Sequence, residues 1–229
     1  LWMKEHGLES NFSPRLGAEH NTLPEILQQV GYATGAFTSL FLLDDEHSGL
    51  MQGVDEFWAP EEGYTPSSEA VERACTFVDK HAGGPFFLWI HSYDVHRPYD
   101  PVAPYDTLNY EGDPRDPDNL SFSRIPPFHP RPYGITDIEY FPAMYKGETS
   151  YQDEQLGRLF DRLRHAGVLD RTLLVVTADH GESLGEHDFY YTHDALYDED
   201  VRVPLIVRAP GLVEPGQRLE SLVQTIDIL

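Results

Sequence analysis

Short, wholly apolar runs alternate with amphipathic helical segments, and no other feature narrows the fold as much. Phe86-Phe87-Leu88-Trp89-Ile90 and Leu173-Leu174-Val175-Val176 show none of the polar–apolar alternation of a half-exposed strand. Strands that are apolar on both sides need cover on both sides, which predicts an α/β sheet with helices over its faces. Thr22 to Val30 reads as a helix capped by Thr22, with Pro24 in its first turn and Leu23, Ile26, Leu27 and Val30 inward. Gly31 ends it, and Tyr32 to Leu40 reads as a strand. From Ser68 to Gly83, Val71, Ala74, Cys75 and Val78 recur at helical spacing, ahead of a strand from Phe86 to Ser92. A long helix is expected over roughly Thr149 to His165, with Leu156, Leu159, Phe160 and Leu163 on one face and Gly167 as its stop. Thr172 to Thr177 is the most strand-like run, and Val201 to Arg208 reads as a further strand in which Pro204 implies an edge or a bulge.

Composition removes several classes. With 229 residues and 40% hydrophobic content, the chain can bury one large core, read as a single partial catalytic domain over 1–229. Cys75 is the only cysteine, so no internal disulfide exists, and it is expected as a small buried core residue. A formal charge of −23, from 39 acidic and 16 basic residues, repels phosphate backbones and excludes general nucleic-acid binding. Only Lys4, Lys80 and Lys146 are lysines, a bias that salt adaptation and a GC-rich genome both produce. No apolar run approaches the roughly 18 residues of a membrane-spanning helix. The chain opens on Leu1 without a signal-peptide pattern, so a preceding segment is expected and the compartment stays open: periplasmic, extracellular or cytoplasmic.

Between Arg97 and Tyr133 lie nine of the 18 prolines and no apolar periodicity. Long loops of this kind serve as lids or are floppy insertions. Because it follows a histidine-bearing strand end, the loop at about 97–135 is read as a lid facing the substrate.

Chemistry concentrates at two strand ends. One runs into His91-Ser92-Tyr93-Asp94-Val95-His96-Arg97-Pro98-Tyr99, the other into Asp179-His180-Gly181-Glu182, and a third cluster holds Gly185-Glu186-His187 and Tyr191-Thr192-His193-Asp194. Open α/β sheets bind ligands beyond the carboxyl ends of their strands. Asp179 and His180 suit Ca²⁺, Mg²⁺ or Mn²⁺ with oxygen partners, and Zn²⁺ if more histidines join. Gly181 is expected to let the backbone pass close to the ion. Gly181-Glu182-Ser183-Leu184-Gly185 also matches the G-x-S-x-G nucleophile elbow of a serine esterase, but Glu186 to Tyr191 has no apolar face for the helix that should follow.

Thr177-Ala178-Asp179-His180-Gly181-Glu182-Ser183-Leu184-Gly185-Glu186-His187 resembles the metal-binding motif of the sulfatase family, within the alkaline phosphatase superfamily. Four further segments fit in order. They are His6-Gly7 with Asn11; Thr22-Leu23-Pro24-Glu25-Ile26-Leu27 with Gly31-Tyr32-Ala33-Thr34; Leu88-Trp89-Ile90-His91 through His96-Arg97-Pro98-Tyr99; and Tyr197-Asp198, Val201-Arg202-Val203-Pro204-Leu205 and Pro210-Gly211. The resemblance implies an alkaline-phosphatase-like mixed, mostly parallel sheet sandwiched between helices, present in part. It implies that Asp179 and His180 ligate a divalent cation, normally calcium. It implies that His96 holds the sulfate group, and that His193 stands where many relatives place a sulfate-binding lysine, four residues before Tyr197. Cationic or proton-donating groups at both places meet charge that grows on the sulfate and leaving oxygens.

The departures are specific. The family nucleophile, a Cys or Ser in C/S-x-P-x-R converted to formylglycine, has no counterpart in the 229 residues, nor do the paired metal aspartates of the first strand. Cys75 precedes Thr76-Phe77-Val78-Asp79 and cannot stand in. Where relatives carry G-K-W-H, the chain reads Thr38-Ser39-Leu40-Phe41, which leaves His91 as the candidate to replace one missing catalytic group. The expected activity is metal-dependent hydrolysis of a sulfate ester on a small molecule or carbohydrate, with the formylglycine upstream of Leu1 and these residues alone inactive. The alternatives are a phosphoryl-type relative (phosphonate monoester hydrolase, phosphodiesterase or phosphoethanolamine transferase) and a non-catalytic remnant that binds metal or anion.

Overall fold

A computed structural model describes residues 15–125 and 134–228, which group into two compact units. The first takes residues up to Tyr93, Glu154–Thr172 and Arg218 onward; the second takes Asp94–Asp153 and Leu173–Gln217. The His6-Gly7 and Asn11 stretch, part of the proline-rich loop (126–133) and Leu229 lie outside the described residues.

In the first unit, α1 (Leu23–Gln29) starts at a reciprocal cap: Thr22 Oγ1 accepts from the Glu25 amide while the Glu25 side chain accepts from the Thr22 amide. Gly31, at φ +89°, turns the chain into β1 (Ala33–Thr38). Ile26 and Val30 are 51% and 68% exposed rather than inward. A seven-residue helix covers less than its whole apolar arc. Next come β2 (Glu56–Trp58), α2 (Ser67–His81) and β3 (Phe86–His91). The three strands are parallel in the order β2-β1-β3, with Ala33 opposite Phe86 and Thr38 opposite His91. Helix α2 buries Ala70, Val71, Ala74, Phe77 and Val78. Phe77 meets Phe37 and Phe86 edge-on at 5.9 and 6.0 Å, and reaches β1 because a Cβ on Gly35 would stand 2.9 Å from its ring. Cys75 falls at the rim of this face and is half-buried, not a core residue; it borders an open groove of about 340 Å³ with Arg158, Asp161, Arg162 and His165.

The second unit is organised by the first half of α3 (Tyr140–His165), which begins well before the expected Thr149. Lys146-Gly147-Glu148 interrupts its apolar pattern, which hides the earlier turns in the sequence. Phe141, Ala143 and Met144 of this half pack with Tyr99, Phe122, Ile125 and Tyr191 into a mainly aromatic core. The described part of the proline-rich loop is therefore anchored by Tyr99, Phe122 and Ile125. β4 (Leu174–Thr177) pairs antiparallel with β7 (Leu205–Arg208), Thr177 opposite Leu205. Pro204 immediately precedes β7, and Asp198–Val201 is a helical turn, so the strand starts later than its apolar run suggests. Between them lies a hairpin of β5 (Ser183–Leu184) and β6 (Tyr190–Thr192). Among the described residues no helix is long and apolar enough to cross a membrane.

Candidate metal and anion site

Asp179 and His180 follow the end of β4, in the second unit. The next turn is fixed by backbone contact: the Gly181 amide donates to the Asp200 carbonyl at 2.7 Å, and a Cβ on Gly181 would sit 1.9 Å from the Glu199 carbonyl oxygen. Gly181 thus admits a neighbouring chain segment. Ser183 follows, fully buried, its hydroxyl donating to the Asp200 carboxylate at 3.0 Å. A strand rather than a helix carries it, so this serine has neither the exposure nor the setting of an esterase nucleophile.

Three imidazoles of this unit converge. His96, from the start of the proline-rich loop, His180, and His193, just past β6, each offer one ligand atom within 4.8 Å of the others. The His180 and His193 rings stack at 4.0 Å, and His96 lies 5.1 Å from His193 and 5.9 Å from His180, centroid to centroid. His96 Nδ1 meets the Arg97 carbonyl at 2.6 Å, and His180 Nδ1 meets the Gly181 carbonyl at 2.8 Å. A carbonyl only accepts, so each ring carries its proton on Nδ1 and, when neutral, its lone pair on Nε2. His180 Nε2 is 3.9 Å from Asp179 Oδ1, close enough for both to address one ion. Burial, then neighbouring positive groups, lowers the His96 and His193 pKa values, which favours neutral rings.

Two further buried carboxyls, besides Asp200, lie in this unit. The Glu182 side chain is 2% exposed, with Oε2 3.8 Å from His193 Nδ1 and the Tyr99 hydroxyl beside it. Burial pushes its pKa up to about 6, against the pull of Tyr99, His180 and Arg97. Its place in Asp179-His180-Gly181-Glu182 was the signal available for finding it. Glu148, within α3, accepts from the Asp100 amide at 2.8 Å and is pushed up to about 9, first by burial and then by Asp94, Asp100 and Glu182. Nothing local in the sequence marks it. Of the other singled-out histidines, His91 ends β3 in the first unit, and His187 stacks on Tyr197 at 4.0 Å with Nε2 3.7 Å from Glu199.

An α/β chain with histidines and a carboxylate gathered beyond a strand end is the class this geometry defines. The Sulfatase family model matches residues 4–229, and the chain belongs to that family. It is 27% identical over 209 residues to iduronate 2-sulfatase from Homo sapiens, covering 79% of this chain and 38% of that protein. It is 30% identical over 215 residues to the multifunctional alkaline phosphatase superfamily protein PehA of Trinickia caryophylli, covering 83% and 41%. A protein solved with its substrate D-glucosamine-2-N,6-O-disulfate shares the fold at a TM-score of 0.70 and 20% identity, over 94% of this chain and 60% of that one. The fold is thus alkaline-phosphatase-like, and the chain spans about two fifths of the length of these two curated relatives.

Proposed function

We propose that the protein carrying this chain hydrolyses a sulfate ester, with a sulfated carbohydrate or small molecule as substrate. The convergence of His96, His180 and His193 beside Asp179, in a chain of this family, carries the reading. An arriving sulfate brings negative charge to the rings of His96 and His193, which favours protonation at Nε2 and turns each into a charged donor. Glu182 behind His193 favours the imidazolium there, so His193 is placed to hold a proton for the leaving alcohol. Asp179 and His180 would hold the divalent cation the family resemblance implies; when bound, it supplies positive charge against the sulfate oxygens. The nucleophile is not among the 229 residues, which contain no C/S-x-P-x-R. A phosphoryl-type activity is the second reading, favoured by the likeness to PehA, described as multifunctional.

The test is a substrate panel on the full-length protein: an aryl sulfate and sulfated sugars against an aryl phosphonate monoester and a phosphodiester. Sulfate esters should be preferred. His96→Ala and His193→Ala should each lower kcat/KM by about 10²-fold or more, and the double variant by less than the product. Preference for the phosphonate would establish the second reading, and no turnover at all would establish a non-catalytic binder.

A further inference from the structure

Arg97, the first residue of the proline-rich loop, is a permanent cation with hydrogen-bonding capacity to spare. Its Nη1 donates to the Tyr191 carbonyl at 3.3 Å. That acceptor is held in place from several sides. Ser183 pairs with Thr192 and Leu184 with Tyr190, which makes Tyr191 the extra residue of a β-bulge and takes its backbone out of the regular ladder. Its φ of +57° is a state that a bulky residue rarely adopts, and its hydroxyl donates to the Ile138 carbonyl at 3.1 Å beside the aromatic core. Strain of this kind gathers where a group that meets a ligand has to be fixed. A guanidinium has several N–H donors in one plane, and the Tyr191 carbonyl engages one nitrogen. Among the described residues Arg97 makes no ion pair, whereas Arg15, Lys80, Arg162 and Arg164 each do. In a chain of charge −23, an arginine without a carboxylate is open to an incoming anion.

Its surroundings decide which anion. The guanidinium acts electrostatically on both His96 and His193, so it borders the position given to the ester sulfate. Arg97 is exposed where those two imidazoles are half-buried, so it meets the part of a substrate that extends from the histidines towards solvent. We propose that Arg97 is a specificity-determining residue: it takes a second anionic group, a carboxylate or a further sulfate, on the sugar whose ester sulfate the histidines hold. This rests on the sulfate-ester reading and narrows its substrate class to sugars with two acidic groups. The overall negative charge opposes such substrates from afar, but physiological salt screens that field beyond about 8 Å. At contact distance the planar fork of one guanidinium, charged at every working pH, decides the preference.

Matched sugars are the probe: a nitrophenyl sugar with a single sulfate ester, the same sugar with a second sulfate, and the corresponding uronate with the single ester. On full-length protein the readout is the ratio of kcat/KM for each doubly charged substrate to that for the singly charged one. Loss of folded enzyme cancels in that ratio. Arg97→Gln should lower it by about 10- to 100-fold, the scale of a charge-assisted pair, and mainly through KM. Arg97→Lys should recover part of the loss for the second sulfate and less for the uronate, whose flat carboxylate matches the fork. Both changes leave His96 its acceptor, which is the backbone carbonyl of Arg97. The substrate whose ratio falls identifies the group as carboxylate or sulfate. A wild-type ratio of about one for both, or ratios unchanged in Arg97→Gln, would overturn the proposal even if overall activity fell. Failure of the sulfate-ester reading is distinguishable, because the earlier panel decides it. If phosphonates are turned over instead, the same ratio is read on phosphonate esters with and without a carboxylate, and if no ester is turned over, on calorimetric Kd values.

Discussion

Glu148 shows how much a single side chain can commit a fold to a pH range. It is 4% exposed, one oxygen accepts from the Asp100 amide, and its pKa rises from 4.5 to about 9, chiefly through burial. The folded state therefore holds this proton more tightly than the unfolded chain does. That contribution to stability is complete below pH 4.5 and is lost as the pH climbs towards 9. Glu182 has the same sign over a narrower window, from 4.5 to about 6. Glu148→Gln keeps an oxygen for the Asp100 amide but cannot ionise, so it should melt above wild type at pH 8 to 9 and close to it near pH 4.5. A chain of this size gains about 2–4 °C in Tm for each kcal/mol. Thermal melts across pH decide this, and parallel curves for the two proteins would refute it. Asp179, His180, His96 and His193 stand out in the sequence because each sits in a polar cluster beyond a strand or beside a motif, and the structure gathers the three histidines. Glu148 does not stand out, because burial, together with Asp94, Asp100 and Glu182 far away in sequence, perturbs that carboxyl.

At the level of elements, agreement follows the locality of the cause. Capping by Thr22, the positive φ at Gly31 and the 3.6-residue spacing in α2 are written within a few residues of each other, and these boundaries fall within one or two positions of expectation. The start of α3 and the late start of β7 are set by contacts made elsewhere in the unit and by Pro204, and both were misplaced. Gly181 was legible as a required glycine, yet its reason was not: the close neighbour is the Glu199 carbonyl. Gly181→Ala must displace that backbone, so it should cost about 1–3 kcal/mol, the scale of overpacking. Denaturant unfolding of the variant measures this. Unchanged stability would mean the turn relaxes without strain.

Taken whole, the described residues combine a candidate site with exposed apolar strand residues. Among the described residues β4 pairs only with β7, and Leu173 and Ile206 are each 62% exposed. Expressed alone, this stretch should show no sulfate-ester turnover, because no C/S-x-P-x-R lies within it. It should also self-associate through the open sheet edge despite its charge of −23. Turnover assays beside light scattering test both, and a monodisperse, active product would contradict both. The interleaving of the two units also has a consequence for synthesis. Tyr99 and Phe122 share their aromatic core with Tyr191, and His96 awaits His180 and His193. At ribosomal speeds of roughly 5–20 residues per second, Tyr99 emerges about 5–20 s before Tyr191. For that interval the nascent chain displays an incomplete aromatic cluster, the moment at which chaperones have most to act on.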